Sequence, residues 1–305
     1  MINPEDPSTL PNPEGYPFRR KYHALPGGLR LNHVDEGAGP PVLMVHGNPT
    51  WSFFYRRLIS ELAPDFRCLA PDHIGMGLSS RPGADEYGFR LSDRVADLGH
   101  FIDGLGLTEP LHLVTHDWGG PIGLAWAADH PDQTASLTIL NTATRVPAGY
   151  RLPWRLALFK KMEPLGAYLA VRHNLFVRGT AALGVVKPLS EAAKRGFAAP
   201  YETAADRLAI GRFVADIPLS PRHPSFAFLA EADRKAAERL RNKPMTLVWG
   251  LRDFVFNRAV FFDWRRRFPE AEVLALPEAG HYLLEDEPDR AAGHIRNFIS
   301  RCRRN

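Results

Sequence analysis

The sequence is poor in cysteine, with only Cys68 and Cys302 among its 305 residues. Two cysteines so far apart predict neither a disulfide framework nor a metal site. Long apolar runs are also absent, since no stretch approaches the roughly 18 apolar residues that span a membrane. The proline-rich segment 1–17 has no apolar core like that of a signal peptide. We therefore expect a globular protein of the reducing cytoplasm.

The sequence also lacks a strong excess of either charge. Its 38 Lys and Arg face 34 Asp and Glu, which gives a formal net charge of +4. The short basic runs at 265–267 and 301–304 are typical of a solvated helix face and a solvated tail. Zinc-finger, RNA-binding and phosphate-loop motifs are all missing. We therefore expect no nucleic-acid partner, no bound metal and no cofactor.

Strand-like runs alternate with helical periodicity along most of the chain. Short apolar runs rich in branched residues occupy 41–46, 67–71, 110–115, 136–141, 245–249 and 273–276. Helical signals follow at 50–63, with Thr50 as the expected cap, and at 91–105, 121–128, 258–267 and 287–301. The alternation predicts an α/β fold with a mostly parallel, twisted sheet covered by helices on both faces. Before it, the segments 18–24 and 29–35 predict a hairpin.

The strand-like runs stop between residues 147 and 220, where apolar residues recur at helical spacing between prolines. We therefore predict an α/β core formed by residues 1–146 and 221–305, with an inserted helical cap at 147–220. This cap carries 11 Lys and Arg against 5 Asp and Glu. A solvated cationic face is the simpler explanation of that excess. The alternative is that the basic, apolar cap binds an acidic protein partner or a membrane surface.

The run 116–120 (HDWGG) lies between a predicted buried strand and a predicted buried helix. A strand, a sharp turn and a helix with one reactive side chain at the tip form the nucleophile elbow of α/β-hydrolases. Asp117 occupies the position where serine usually stands, and Gly119 allows the strand and helix to approach closely. The alternative for Asp117 is an ordinary helix N-cap.

Two further polar residues follow predicted strands in the order that a nucleophile–acid–base triad requires. Asp253 comes just after the strand 245–249, and His281 lies in the loop between the last strand and the last helix. We predict that His281 is the base and that Asp253 orients and stabilises it. The rival position for the acid follows the strand 136–141, where Asn141 stands instead of a carboxylate.

A carboxylate nucleophile indicates attack on a saturated carbon. An aspartate is already ionised at neutral pH, since its ordinary pKa is about 3.9. Its attack on an alkyl carbon gives an ester that water can hydrolyse, whereas serine would give an inert ether. A leaving anion also needs donors, and the Asn48 amide and the indole N–H of Trp118 can supply them. The backbone N–H groups of the same two residues are candidates for an oxyanion hole.

Three motifs resemble those of the haloalkane dehalogenase family of α/β-hydrolases, namely 46–51 (HGNPTW), 72–79 (DHIGMGLS) and 116–120 (HDWGG). The resemblance extends over nearly the whole chain. It implies an α/β-hydrolase fold with Asp117 as nucleophile, His281 as base and Asp253 as acid. It also implies that Asn48 and Trp118 bind the leaving halide, that the substrate is a small apolar haloalkane and that the enzyme is a hydrolase.

The Asn–Trp pair combined with an acid after the seventh strand resembles the third subfamily of these enzymes, which includes the β-lactone decarboxylases of bacterial long-chain olefin biosynthesis. Three segments are similar to that branch, namely 141–143 (NTA), 199–201 (APY) and 216–221 (DIPLSP). The alternative activity is therefore decarboxylation of a cis-β-lactone to a long-chain cis-alkene, which is a lyase reaction.

Two more alternatives remain open. Epoxide hydrolases share the HDWG elbow and use paired cap tyrosines, a role for which Tyr150, Tyr168 and Tyr201 are available. A non-catalytic binding protein on the same fold is the other alternative. The presence of all five site residues argues against it.

Overall fold

The computed structural model describes residues 12–147, 150–151, 153–154, 157 and 174–303. Its centre is an eight-stranded sheet with the order β1-β2-β4-β3-β5-β6-β7-β8. The strands are β1 (Lys21–Ala24), β2 (Arg30–Glu36), β3 (Pro41–Val45), β4 (Arg67–Pro71), β5 (Leu111–His116), β6 (Thr134–Leu140), β7 (Met245–Gly250) and β8 (Glu272–Leu276). The pairs β1–β2 and β2–β4 are antiparallel, and the remaining pairs are parallel. The predicted hairpin and the mostly parallel sheet are both confirmed.

Helices cover both faces of this sheet. The described α-helices are α1 (Arg56–Leu62), α2 (Leu91–Gly104), α3 (Gly119–Asp129), α4 (Leu175–Leu183), α5 (Glu191–Ala198), α6 (Leu208–Ala215), α7 (Pro224–Arg239), α8 (Arg258–Arg267), α9 (Leu283–Asp286) and α10 (Pro288–Cys302). Helix α3 packs against α2 and α7, whereas α1 packs against α10. None of the described helices is both long and apolar enough to cross a membrane.

The apolar runs of the sequence explain why the centre of the sheet lies where it does. Every residue of β3, β5 and β7 is buried, as expected for parallel strands covered on both faces. Helix α3 is buried along all of its length except its last residue. Its sequence is accordingly apolar all round rather than amphipathic. This buried strand–turn–helix unit gives the Asp117 turn a rigid base.

Two local expectations were wrong or incomplete. Thr50 does not cap a helix, because its hydroxyl donates to the carbonyl of Gly47 at 3.1 Å. The chain instead passes through a short 3₁₀ helix, Ser52–Tyr55, before α1 begins. Helix α7 follows the predicted cap and was not predicted. Its signals were present, because Pro224 occupies the first helical position and proline is favoured there.

The described part of the predicted cap segment, 147–220, contains the helices α4, α5 and α6. The segment 158–173 lies outside the described residues. The division into core and cap stays a prediction. Helices α4 and α6 lie next to the carboxyl ends of β3, β5, β7 and β8, since they share a cavity with residues that follow those strands.

Candidate active site

Asp117 stands at the tip of the turn between β5 and α3. Its φ of 51° lies in the left-handed region, where a residue with a side chain is strained. The Asp117 N–H donates to the carbonyl of Asn141 at 3.2 Å, and the Gly120 N–H donates to the carbonyl of Asp117 at 3.0 Å. A Cβ on Gly119 would lie 1.9 Å from the carbonyl oxygen of Val45. The glycine is therefore required for α3 to start directly against β3.

The two oxygens of the Asp117 carboxylate have different surroundings. Oδ1 accepts a hydrogen bond from the backbone N–H of Asn48 at 2.6 Å, and the backbone N–H of Trp118 also bonds this carboxylate. Oδ2 faces Nε2 of His281 at 3.8 Å. The N-cap of α3 is Trp118 rather than Asp117, and it makes no side-chain cap. Asp117 is thus held with one oxygen anchored and the other directed toward the histidine.

His281 lies between the two aspartates. Its Nδ1 bonds Oδ2 of Asp253 at 2.8 Å, and its Nε2 faces Asp117. The other oxygen of Asp253 accepts the backbone N–H groups of Val255 at 2.7 Å and Phe256 at 3.1 Å. A carboxylate at Nδ1 assigns the proton of the neutral imidazole to that nitrogen and leaves Nε2 free to accept one. The three side chains predicted from the sequence therefore come together in one chain of contacts.

Asn141 belongs to the same network, although the sequence indicated only that it is not a carboxylate. Its Nδ2 donates to Oδ2 of Asp253 at 2.8 Å, and its Oδ1 accepts the backbone N–H of Gly250 at 2.8 Å. The turn after β6 and the turn after β7 are thus joined by one side chain. The two alternative positions for the acid are direct neighbours, and the amide at one of them supports the carboxylate at the other.

The electrostatic surroundings shift the pKa of both partners upward. Burial raises the pKa of Asp117 above its ordinary value, while His281 and the two backbone N–H groups oppose that shift. Burial alone would lower the pKa of His281, but the charge and hydrogen bond of Asp253, with the charge of Asp117, raise it overall. The two carboxylates therefore stabilise the positive charge that the imidazole acquires when Nε2 accepts a proton.

Asn48, Asp117, Trp118 and His281 line one cavity with a volume of about 300 Å³. Among the described residues, the rest of the lining is mostly apolar, including Pro121, Ile217, Leu229, Phe256 and Val260. The Asn48 amide uses one N–H, which donates to the carbonyl of Ile210 at 3.3 Å. The cavity thus places a carboxylate, an imidazole and hydrogen-bond donors at the end of an otherwise apolar space, as small-molecule sites often do.

The entrance of this cavity is itself apolar. Five of its lining side chains are large hydrophobic groups that are between 39% and 50% exposed, namely Val146, Leu175, Leu183, Leu219 and Phe254. Isolated exposed hydrophobic residues are ordinary, but a cluster around an opening indicates an apolar ligand. The cavity and its entrance together fit a substrate with an alkyl portion.

The tyrosines considered for an epoxide hydrolase are not paired in the part of the chain that the structure describes. Tyr150 lines the cavity, and its hydroxyl donates to the carbonyl of Val255 at 2.7 Å. Tyr201 is fully buried, and its hydroxyl accepts the backbone N–H of Gly77 at 3.2 Å. Tyr168 lies outside the described residues.

Several basic residues of the predicted cap already have partners within the chain. Lys187 pairs with Glu287 at 3.1 Å, and Lys194 pairs with Glu191 at 2.7 Å. The Arg207 guanidinium donates to the carbonyl of Tyr201 at 2.6 Å. Part of the basic excess is therefore used inside the fold, and the acidic or membrane partner stays a prediction.

Known proteins are similar to this chain in sequence and in fold. The alpha/beta hydrolase fold family matches residues 40–288. A cis-3-alkyl-4-alkyloxetan-2-one decarboxylase of Xanthomonas campestris is 38% identical over 94% of this chain and 98% of its own length. Haloalkane dehalogenase 2 of Mycobacterium bovis is 36% identical over 93% of this chain and 96% of its own length.

The crystal structure of an ancestral haloalkane dehalogenase superimposes with a TM-score of 0.82 and 26% identity, covering 94% of this chain and all of that one. The family resemblance drawn from the three motifs is thus confirmed along the whole length of the fold. The relatives of this chain include both dehalogenases and β-lactone decarboxylases. The chain belongs to the haloalkane dehalogenase family of α/β-hydrolases.

Proposed function

We propose that Asp117 is a nucleophile that forms a transient ester with a saturated carbon of a lipophilic substrate. The observation that carries this proposal is the asymmetry of its carboxylate. Oδ1 is anchored at 2.6 Å by the Asn48 N–H, while Oδ2 lies 3.8 Å from His281 Nε2 in an apolar cavity. Removal from water strengthens both the nucleophile and its interactions with nearby charges.

The proposed substrate is a cis-β-lactone that carries two alkyl chains. The relatives named as decarboxylases of such lactones are 38% identical over 93% or more of this chain. The apolar entrance of the cavity supports the same substrate, because alkyl chains on a bound ring would contact the exposed hydrophobic cluster. The polar ring would then lie next to Asp117, Asn48 and Trp118.

The reaction follows from two bond exchanges. Oδ2 of Asp117 attacks the ring carbon that bears the ring oxygen, and that C–O bond breaks so that its electron pair leaves on a carboxylate. The side chains of Asn48 and Trp118 donate hydrogen bonds to this anion. The bond between the carboxylate and the neighbouring carbon then breaks. Its electrons form the C=C bond while the ester C–O electrons return to Asp117, which yields carbon dioxide and an alkene without water.

Haloalkane dehalogenation is the second candidate, and the two donors beside the nucleophile favour it. Asn48 and Trp118 line the cavity next to Asp117, where a departing halide would accept their N–H groups. The alkyl ester is then cleaved by water that transfers its proton to Nε2 of His281. In this reaction Asp117 exchanges an oxygen atom with water, because the attack takes place at its own carbonyl carbon.

The fate of oxygen separates the two reactions in one experiment. The protein is incubated in water labelled with heavy oxygen, with a synthetic cis-β-lactone in one sample and a primary bromoalkane in another. Lactone decarboxylation is expected to release alkene and leave the Asp117 peptide unlabelled in the mass spectrum. Dehalogenation is expected to release bromide and alcohol and to label that peptide.

Asp117→Asn serves as the control in both samples, because an amide cannot attack as a carboxylate does. If the protein released bromide from the bromoalkane but no alkene from the lactone, the substrate would be a haloalkane and the lactone proposal would be wrong. If Asp117→Asn turned over both substrates at the wild-type rate, Asp117 would not be the nucleophile.

A further inference from the structure

Arg94 on α2 is a buried cation without a hydrogen-bond partner among the described residues. Its side chain is only 2% exposed, and Nε, Nη1 and Nη2 all lack a partner in that part of the chain. Leu91 and Leu98 lie on the same buried face of α2, so Arg94 occupies a position where helical spacing expects an apolar residue. An unpaired buried charge lowers stability, and such a group calls for an explanation.

The guanidinium lies over the Phe213 ring, and that ring contacts Trp118. Its central carbon lies 3.5 Å from the centroid of the Phe213 ring, within the range of a cation–π contact. The Phe213 ring lies 5.4 Å from the ring of Trp118, which lines the cavity beside Asp117. Arg94, Phe213 and Trp118 therefore form a chain of contacts that runs from the core to the substrate cavity, with the two rings tilted by 56°.

The acidic groups near Arg94 are bonded to other donors. Asp216 accepts the Leu91 N–H at 2.7 Å and the Ser225 hydroxyl at 2.7 Å, and Asp97 accepts the Tyr87 hydroxyl at 2.6 Å. Asp93 accepts the Arg90 N–H at 2.9 Å. None of them forms an ion pair with Arg94 within the described ranges. The positive charge is therefore not neutralised by direct contact.

The charge of Arg94 acts on two buried histidines near the site. Burial lowers the pKa of Arg94 to about 10, so it stays protonated at neutral pH. Burial is the main cause that lowers the pKa of His46 and of His73, and the charge of Arg94 makes a smaller contribution in the same direction. These two histidines are therefore neutral.

We propose that Arg94 is a positioning residue that stabilises the anion leaving the substrate, acting through Phe213 and Trp118. This inference rests on the proposed function, in which Asn48 and Trp118 hold that anion. During the first step one negative charge moves from Asp117 to the leaving group. The positive charge of Arg94 on the far side of Phe213 stabilises the product of this step, because buried side chains between two charges screen them less than water does.

Bromide ion is the probe, and two variants of the full-length chain are compared with the wild type. Arg94→Met keeps much of the volume and removes the charge, whereas Arg94→Lys keeps the charge. Binding is measured by quenching of tryptophan fluorescence, and Trp118→Phe, which removes both a proposed donor and the fluorophore in the cavity, gives the background quenching by bromide elsewhere. A charge about 10 Å away at an effective dielectric constant of about 20 changes affinity on the order of tenfold.

Arg94→Met is expected to raise the Kd for bromide about tenfold without lowering Tm, since replacing an unpaired buried charge by an apolar group is neutral or stabilising. Arg94→Lys is expected to retain most of the affinity. A merely structural role predicts the opposite for Arg94→Met, a lower Tm with unchanged bromide binding, and that result would overturn the inference. Equal losses of affinity in both variants would also overturn it, because shape rather than charge would then matter.

Arg94→Lys provides a second measurement if Arg94→Met does not fold. Burial depresses the pKa of a lysine, so bromide affinity of this variant is expected to fall with rising pH relative to the wild type. If the ratio of the bromide affinities of Arg94→Lys and the wild type stayed constant as pH rises, the inference would be contradicted. A wild type that binds no bromide and turns over neither substrate would instead overturn the proposed function.

Discussion

The turn after β5 and the turn after β7 each present an aspartate to the same histidine, yet the two carboxylates are held differently. Asp253 accepts four hydrogen bonds, from His281, Asn141, Val255 and Phe256. The carboxylate of Asp117 accepts the backbone N–H groups of Asn48, on Oδ1, and of Trp118, and its Oδ2 faces Nε2 of His281 at 3.8 Å. The backbone of Asp117 is also strained, with a φ of 51°.

The difference shows how coordination assigns chemistry to two identical side chains. A carboxylate whose lone pairs are occupied by donors is fixed in place and weakly nucleophilic, which suits orientation of an imidazole. A buried carboxylate with one oxygen turned toward an apolar cavity can attack a substrate. Substitution at one of the two turns should therefore affect a different step of the reaction from substitution at the other.

The largest effect is expected for Asp117→Asn. The amide keeps the shape of the side chain but removes the nucleophilic charge, so turnover of either candidate substrate should fall by about 10⁴ or more. Steady-state assays of alkene and bromide release measure this loss. A circular dichroism melt supplies the control, because Tm is expected to stay at or above the wild-type value once a buried charge is removed. Activity within tenfold of the wild type would mean that the turn after β5 does not carry the nucleophile.

The positions of the site residues could be predicted from the sequence because topology fixes them. Asp117, Asp253 and His281 each follow an apolar strand, and the carboxyl ends of neighbouring parallel strands meet at one edge of the sheet. The role of Asn141 could not be predicted in this way. It depends on the 2.8 Å distance between side chains of two turns, and periodicity does not report such distances.

Helix α2 shows the same limit for charge. Its periodicity was predicted correctly, but a charged residue on an amphipathic helix usually lies on the solvated face. Only the buried neighbours of Arg94 show that it points into the core. The sequence thus predicted which segments form the fold and which residues follow its strands. The partners of each polar side chain required the packed structure.

The next effect is expected for Asp253→Asn, and its size depends on the reaction. Hydrolysis of an alkyl ester needs His281 as base, so release of alcohol from a bromoalkane should fall by about 10³ to 10⁴. The ester should then accumulate on Asp117 as a mass adduct. Decarboxylation uses no water, so lactone turnover should fall by only about tenfold, as the charge balance around His281 changes.

If Asp253→Asn turned over both substrates at the wild-type rate, the assigned role of the turn after β7 would be contradicted. A loss of similar size for both substrates would show that lactone turnover also depends on a base. His281→Phe is the matched variant, because it removes the base and leaves both carboxylates in place.

A smaller effect is expected when the acid is moved to the neighbouring turn. Asn141 lies 2.8 Å from Asp253, so the double variant Asn141→Asp with Asp253→Asn exchanges the amide and the carboxylate. It should recover about tenfold of the bromoalkane hydrolysis lost in Asp253→Asn, since a carboxylate again lies near Nδ1 of His281. The single variant Asn141→Asp is the control, and it should lose activity because two carboxylates then repel each other. No recovery in the double variant would show that only the turn after β7 can orient the histidine.

The smallest expected effect is a difference between the pH profiles of the two reactions, because only one of them needs His281 as a base. Asp117 must be ionised to attack, and its pKa is raised, so lactone turnover should fall with acid at a pH above the ordinary carboxyl pKa of about 3.9. Bromoalkane hydrolysis also needs neutral His281, whose pKa is raised. The rate of bromoalkane hydrolysis should therefore show a second increase as the pH rises through the raised pKa of His281, which lies above the ordinary value of about 6.5. Rate profiles for the two substrates, measured on one preparation, test this directly. A neutral-range rise for the lactone as well would make the histidine a base in both reactions, and the turn after β7 would then matter as much for decarboxylation as for hydrolysis.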